Sequence, residues 1–247
     1  MKEKIIKSKE RVQKHGEVFT PRKIVNKMLD IPEINNASKN LHATFLEPAA
    51  GEGAFLVEIL KRKLEMVSRK YNNDLNQYEN FSLFALTTLY GIELLEDNAQ
   101  ICVMNMFQTY YEQYRRQVKV HKGRIKQRVL DSAKKIITSN IATGDFLTRK
   151  AIDGKPIVFS EWEPINLREN SKNIRIQRTE YTLDEIYNNV RKEKGRSING
   201  LIDNKSQISI FDILNEEQQE NEEQEVFKYI PAHITNIYKE EMIKVDG

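Results

Sequence analysis

Thr44-Phe45-Leu46-Glu47-Pro48-Ala49-Ala50-Gly51-Glu52-Gly53-Ala54-Phe55-Leu56 is the stretch on which the fold of this chain turns. A short apolar run leads into a glycine turn, and an amphipathic helix starts directly behind it. Two glycines one residue apart let the backbone turn sharply and let a ligand approach where a Cβ would clash. Strand–glycine–helix turns are common, and a purely structural βα turn is the plain alternative. What sharpens this one is its setting: Glu47 opens the turn, Pro48 follows, and Phe55 sits just inside the helix.

Working outward, Leu89-Tyr90-Gly91-Ile92-Glu93 reads as the next strand, ending on a carboxylate, with Leu94 just beyond. An acidic residue there can accept from both hydroxyls of a ribose. Asp97 and Asn98 lead into a helix carrying Cys102 on an apolar face, where a core position is expected. A third strand is expected over Ile136–Ile141, followed by Gly144-Asp145-Phe146, and a fourth over Ile157–Phe159. Upstream, Thr20 is placed to cap a helix with Pro21 in its first position. Ile24, Val25, Met28 and Leu29 then form one apolar stripe.

Behind Gly53, the residues Phe55, Leu56, Ile59, Leu60, Leu64 and Val67 mark the buried stripe of a long helix. Lys61, Arg62, Lys63 and Arg69 fall on its other face. Residues 71–80 read as a polar loop and 81–86 as a short helix. From Tyr110 to Lys135 the chain is basic, with Tyr110, Tyr111 and Tyr114 at its head. Such a run is either a solvated helix face or a surface for a nucleic-acid backbone.

The 247 residues allow one substantial core with a small appendage. Lys and Arg number 39 against 36 Asp and Glu, so net charge alone announces no polyanion. One cysteine excludes an internal disulfide and a multi-cysteine zinc site, and no metal is expected. No secretory leader, membrane-length apolar run or internal repeat is visible, so a soluble, cytoplasmic protein is expected.

In their order, these features resemble the S-adenosylmethionine-dependent N6-adenine DNA methyltransferases. Glu47, Pro48, Ala49, Gly51, Gly53 and Phe55 match that family's motif I position for position. Phe19-Thr20-Pro21 resembles motif X, and its place ahead of motif I is similar to the gamma class and the type I modification subunits. Glu93, with Leu94, resembles motif II, and Asp145-Phe146 motif III. The resemblance implies an α/β, Rossmann-like fold, a mostly parallel sheet with flanking helices, which this chain alone need not complete. It implies S-adenosylmethionine as cofactor, with Glu93 at its ribose, Asp145 at its adenine and Phe146 against the ring.

The family's motif IV, Asn, Asp or Ser followed by Pro-Pro and an aromatic, has no counterpart in this chain. Ser160-Glu161-Trp162 stand in its place. They are either a divergent catalytic loop, with Trp162 stacking the target base, or a turn whose tryptophan fills the core.

Three segments follow: a basic N-terminal arm over 1–15, a methyltransferase-like cofactor-binding domain over 16–165, and a polar, charged tail over 166–247. In the tail, alternation over Ile174–Arg178 suggests a strand, and Thr182-Leu183-Asp184-Glu185 a capped helix. Gln207-Ile208-Ser209-Ile210-Phe211 resembles the peptide by which bacterial DNA-processing proteins bind the replication sliding clamp; an edge strand is its bland alternative. The function implied is a DNA adenine-N6 methyltransferase of bacterial or phage type acting on a flipped-out adenine, with DNA on the basic stretch 115–135. The alternative is a non-catalytic binding protein working through the sliding clamp or a second modification subunit. An RNA or protein methyltransferase would share the cofactor motifs.

Overall fold

The protein is described by a computed structural model covering residues 6–198 and 226–245. The clamp-like peptide 207–211 lies outside the described residues. The chain begins with three short helices, α1 (Lys9–His15), α2 (Arg22–Leu29) and α3 (Pro32–Ser38). It then alternates strands and helices: β1 (Phe45–Glu47), α4 (Ala54–Lys70), α5 (Leu75–Leu86), β2 (Leu89–Glu93), α6 (Glu96–Val120), α7 (Gln127–Asn140) and β3 (Ile141–Asp145). Strands separated by helical crossovers make a parallel sheet. Phe45 lies opposite Leu89 and Gly91 opposite Ile141, both in parallel pairs. A two-residue strand, β4 (Lys150–Ala151), returns antiparallel to β3. The order is β1-β2-β3-β4, so β1 is an outer edge among the described residues.

Successive residues of β2 face opposite sides of this sheet. Leu89 belongs to the main core with the helices, and α4, α6 and α7 all pack near β2. Tyr90 and Ile92 face a second, smaller core with Ile157, Phe159 and Leu183. That second core is covered by a hairpin, β5 (Val158–Pro164) with β6 (Arg175–Thr182), antiparallel from Val158 opposite Thr182 to Pro164 opposite Ile176. A helix, α8 (Leu183–Tyr187), follows β6 behind the capping box of Thr182 and Glu185 that the sequence predicts. The chain resumes in β7 (Val226–Tyr229), β8 (Ala232–His233), a 3-10 helix (Ile234–Lys239) and β9 (Met242–Val245). β8 joins the hairpin sheet, β9 pairs with β7, and the 3-10 helix packs on α5 and α7. The hairpin straddles residue 165, so the residues after Pro164 share a sheet with those before it.

Several expectations need correction. The segment 157–159 is not a fourth parallel strand; β5 pairs with β6 in a separate sheet. Ile136–Ile141 is mostly helix: Val129, Ala133, Ile136 and Ile137 are buried at helical spacing, and the strand begins only at Ile141. Residues 75–80 are helical too, because Asp74 accepts from the Gln77 amide and caps α5. The polar side chains that suggested a loop are buried and used. Gln77 donates to Glu169 O, while Asn80 donates to Lys172 O and accepts from the Ile174 amide.

Lys63, expected on the charged face of α4, is wholly buried. Its ammonium donates to the carbonyls of Asn40 (2.7 Å), Leu41 (3.3 Å) and Ala43 (2.8 Å) and holds the approach to β1. α2 starts one residue later than expected, with Pro21 rather than Thr20 at its cap. Only half of its stripe is buried: Val25 and Leu29 are in the core, whereas Ile24 and Met28 are exposed.

Candidate cofactor cleft

Each of the three parallel strands ends on a carboxylate: Glu47, Glu93 and Asp145. Ligands of open α/β sheets bind outside these carboxyl ends, and two adjoining clefts open there. One, of about 410 Å³, is lined by Phe19, Pro48, Ala49, Gly51, Glu93, Leu94, Asp145 and Phe146. The other, of about 730 Å³, is lined by Phe19, Thr20, Pro21, Glu47, Ala49, Gly51, Gly53 and Phe55. The shared residues Val18, Phe19, Ala49 and Gly51 join the two. Every cofactor residue expected from the sequence therefore lines this surface.

The glycine turn is built for close approach. Gly51 and Gly53 take φ of +53° and +86°, a region that L side chains rarely adopt. A Cβ on Gly53 would lie 2.8 Å from Cys102 Sγ, so the turn sits directly on α6. No side chain caps the start of α4, so its first-turn amides have no side-chain acceptor at the cap.

Glu93 is the pivot. Its Oε2 accepts from the Gly51 amide (2.7 Å), and its Oε1 accepts from the Leu95 amide (3.0 Å) and from Asn98 (3.4 Å). Glu93 is 7% exposed, and its carboxylate is oriented by the turn it faces. Carboxylate oxygens carry about four lone-pair sites in all, so acceptor capacity remains for a ligand hydroxyl. Asp145 uses Oδ1 on the Leu147 amide (2.8 Å). Burial raises the Glu47 carboxyl above its ordinary value, against the Ala49 amide, which lowers it.

The N-terminal arm closes one wall. Arg11 donates to both oxygens of Glu17 (2.6 and 2.8 Å) and to both of Asp97 (3.0 and 2.9 Å). Hydrogen bonds from Arg11 are the largest influence in holding the Glu17 carboxyl below its usual range and in lowering Asp97 to about 2. Asn98 donates to Glu17 (2.6 Å) as well as to Glu93, so a continuous hydrogen-bonded chain runs from the arm to the pivot. Lys7 reaches Asp97 and Glu52 (3.1 Å each) and lies 5.7 Å from the Phe19 ring centroid. Sequence reading missed Arg11, Glu17 and Asn98; the available signal was an acid and a carboxamide flanking two predicted site segments.

Cys102, beneath the turn, is fully buried. Burial foremost, then Glu93 and Glu47, pushes its thiol up to about 12.

Ser160, Glu161 and Trp162 lie elsewhere. Ser160 and Glu161 line a separate groove of about 490 Å³ beside Leu46, Phe159 and Tyr181. Ser160 itself is 2% exposed and accepts from Arg178 (2.9 Å). Trp162 is 5% exposed, donates to Asn140 (2.9 Å), and has Arg178 5.1 Å from its ring centroid. Of the two sequence readings, this geometry is that of a core tryptophan.

The clefts bring polar, apolar and helix-terminal groups together. They offer carboxylates for hydroxyl and amino groups, exposed apolar residues such as Leu94 and Leu147 for a flat ring, and a helix N-terminus for a carboxylate. No group of three or more metal-ligating side chains occurs among the described residues, and none of their helices is long and apolar enough to cross a membrane.

The family model for N-6 DNA methylases matches residues 3–141, more than half of the chain. The match covers Phe19–Pro21, Glu47–Phe55 and Glu93 and ends at the first residue of β3. Searches of curated proteins and of solved structures each give no match.

Proposed function

The chain belongs to the N-6 DNA methylase family, and on that footing we propose that it holds S-adenosylmethionine in the joined clefts and methylates adenine N6 in DNA. The fold is then Rossmann-like, with the donor across the ends of β1, β2 and β3. One observation carries the reading: the motif-bearing residues, scattered from Phe19 to Phe146, line one continuous surface.

In this assignment Glu93, oriented by the Gly51 and Leu95 amides, accepts from a ribose hydroxyl at its remaining lone-pair site. Asp145 accepts from the adenine amino group, and Phe146 lies against the ring. The first turn of α4 and the Phe19–Pro21 segment enclose the methionine end. When bound, the cofactor would supply a methyl on a sulfonium: its S–CH₃ bond would break as N6–CH₃ forms, leaving a thioether, and one amino proton would pass to solvent. The target adenine is rotated out of the helix to reach that methyl.

Calorimetry with S-adenosylmethionine tests the site. Glu93→Gln turns one acceptor into a donor facing an amide N–H, and Asp145→Asn removes a charge. A hydrogen bond to a charged group is worth about 1.5–3 kcal/mol, so each change should weaken binding by roughly ten- to a hundredfold. Unchanged affinity in both variants overturns the assignment.

A second reading is favoured by the burial of Trp162: a protein that holds the methyl donor without transferring it. Labelled cofactor offered with DNA, RNA and protein acceptors separates the two. Label in DNA supports the enzyme; cofactor binding with no label in any acceptor supports the second reading.

A further inference from the structure

The basic stretch does not lie at the cleft. α6 starts beside it, where Asn98 lines the wall, and runs 25 residues away from it. At 1.5 Å per residue, Arg115 and Lys119 lie about 25 and 32 Å along the axis from Asn98. The turn that follows packs on the far end of α4 and the start of α5. His121 and Gln117 bond Asn72, and Lys126 bonds Asn76. Arg115, Arg116, Lys119, Lys122, Arg124 and Arg128 are all exposed at this pole. Two other cations of the stretch are committed internally: Lys126 to Glu79 (2.7 Å) and Lys135 to Glu240 (2.6 Å).

Basic charge is concentrated in this stretch. Residues 110–135 hold nine Lys and Arg against two acids, a surplus of seven in a chain whose net charge is +3. The two acids, Glu112 and Asp131, accept from Gln108 and Gln127 respectively. Beside the pole a polar cavity of about 360 Å³ is lined by Arg128, Lys172, His233 and the carboxamides of Asn76, Asn173 and Asn236. Glu79 lines it too, but is 1% exposed and already bonded by Lys126 and Tyr114.

We propose that this pole is a second DNA contact, gripping the phosphate backbone of duplex about 30 Å along the α6 axis from the cofactor cleft. DNA as the polyanion rests on the proposed reading of the family's substrate. Duplex rather than single strand follows from the aromatics: binding unpaired bases needs exposed rings to stack on, whereas Tyr110 and Tyr114 are fully buried, bonding Ser82 and Glu79, and Tyr111 is partly buried against the main core. What the pole exposes fully is charge, which suits backbone contact by counterion release. It anchors DNA flanking the methylated base and reads no sequence.

The test uses the full chain and a 30-bp duplex, with binding measured by fluorescence anisotropy between 50 and 300 mM salt. Two triple variants, R115Q/R116Q/K119Q and K122Q/R124Q/R128Q, change only exposed residues, and thermal melting checks that each stays folded. Each should lower the slope of log affinity against log salt by about 2.7, or 0.9 for every phosphate no longer neutralised, and weaken binding at 50 mM salt about tenfold or more. R115K/R116K should retain the wild-type slope. Calorimetric affinity for S-adenosylmethionine should be unchanged in all three, so failure of the pole is distinguishable from failure of the cleft. Wild-type affinity and slope in both folded triple variants overturns the proposal. So does tighter binding of single-stranded DNA or RNA of equal length at the same salt.

Discussion

Replacing Gly53 with alanine is expected to destabilise the protein by about 2–5 kcal/mol, from two separable terms. The first is conformational. Gly53 has φ +86°, and the left-handed region costs an L residue roughly 1–2 kcal/mol. The second is steric. The new Cβ would lie 2.8 Å from Cys102 Sγ, whereas non-bonded atoms rest about 3.5–4.0 Å apart. Overpacking of this kind adds roughly 1–3 kcal/mol. Gly16 and Gly51 isolate the first term. Both have positive φ, yet a Cβ at Gly16 meets nothing within 4 Å and one at Gly51 only touches the Phe19 ring at 3.9 Å. Their alanine variants should each cost only about 1–2 kcal/mol.

Urea unfolding at constant pH measures all three. A double-mutant cycle with Cys102→Ala identifies the clash. Without Sγ, the nearest atoms to the new Cβ are Cys102 Cα at 3.4 Å and Cβ at 3.5 Å, close to ordinary contact. The double variant should therefore be more stable than the sum of the singles by about 1–3 kcal/mol. A G53A cost equal to that of G16A, or an additive cycle, refutes the steric argument.

Two further predictions concern buried side chains. Burial lowers the Lys63 ammonium to about 7, against an ordinary 10.5 that the unfolded chain retains. Between these values the unfolded state binds more protons, so stability should rise with pH through this window, by at most about 1.4 kcal/mol per unit; below it the cost of burying the charge is felt in full. Unfolding free energies at pH 7, 8 and 9 should show that slope in the wild type and lose it in Lys63→Met; equal slopes would count against it. Trp162→Ala should cost roughly 3–5 kcal/mol as a buried aromatic truncation, and any loss of methylation should follow the loss of folded protein. A folded, equally stable W162A protein devoid of activity would instead return the residue to catalysis.

Sequence legibility followed the kind of force involved. β2 was readable to the residue, and the capping box of Thr182 and Glu185 likewise, because both depend on neighbours in sequence. The residues lining the clefts were picked out by resemblance to the family's motifs, and most of them sit at strand ends or in turns. α5 was hidden because its buried Gln77, Glu79 and Asn80 resemble loop residues until their distant partners are known. The β-branched run Ile136-Ile137-Thr138 suggested a strand, and tertiary burial of the Val129–Ala133–Ile136 face overrode that propensity. Lys63 carried no local sign of burial, since the carbonyls that receive it come from a loop 20 to 23 residues earlier. The 157–159 and 174–178 segments were each read as strands, but their antiparallel pairing over the second face was not foreseen from a parallel βα pattern, so both readings of Trp162 stayed open.

The brevity of β1 bears on how the protein behaves at high concentration. An edge strand invites pairing with another molecule in proportion to the outward amides and carbonyls it displays. The Phe45 amide is turned inward to Thr88 O (2.9 Å), so by alternation Leu46 alone, within this three-residue strand, directs its peptide groups outward. Pro48, just beyond, has no N–H to add. Among the described residues, a neighbouring copy would find only one outward-facing residue along this strand. The strand itself keeps its place through its flanks: the Lys63 grip on Asn40–Ala43 before it and the Gly51–Glu93 bond after it.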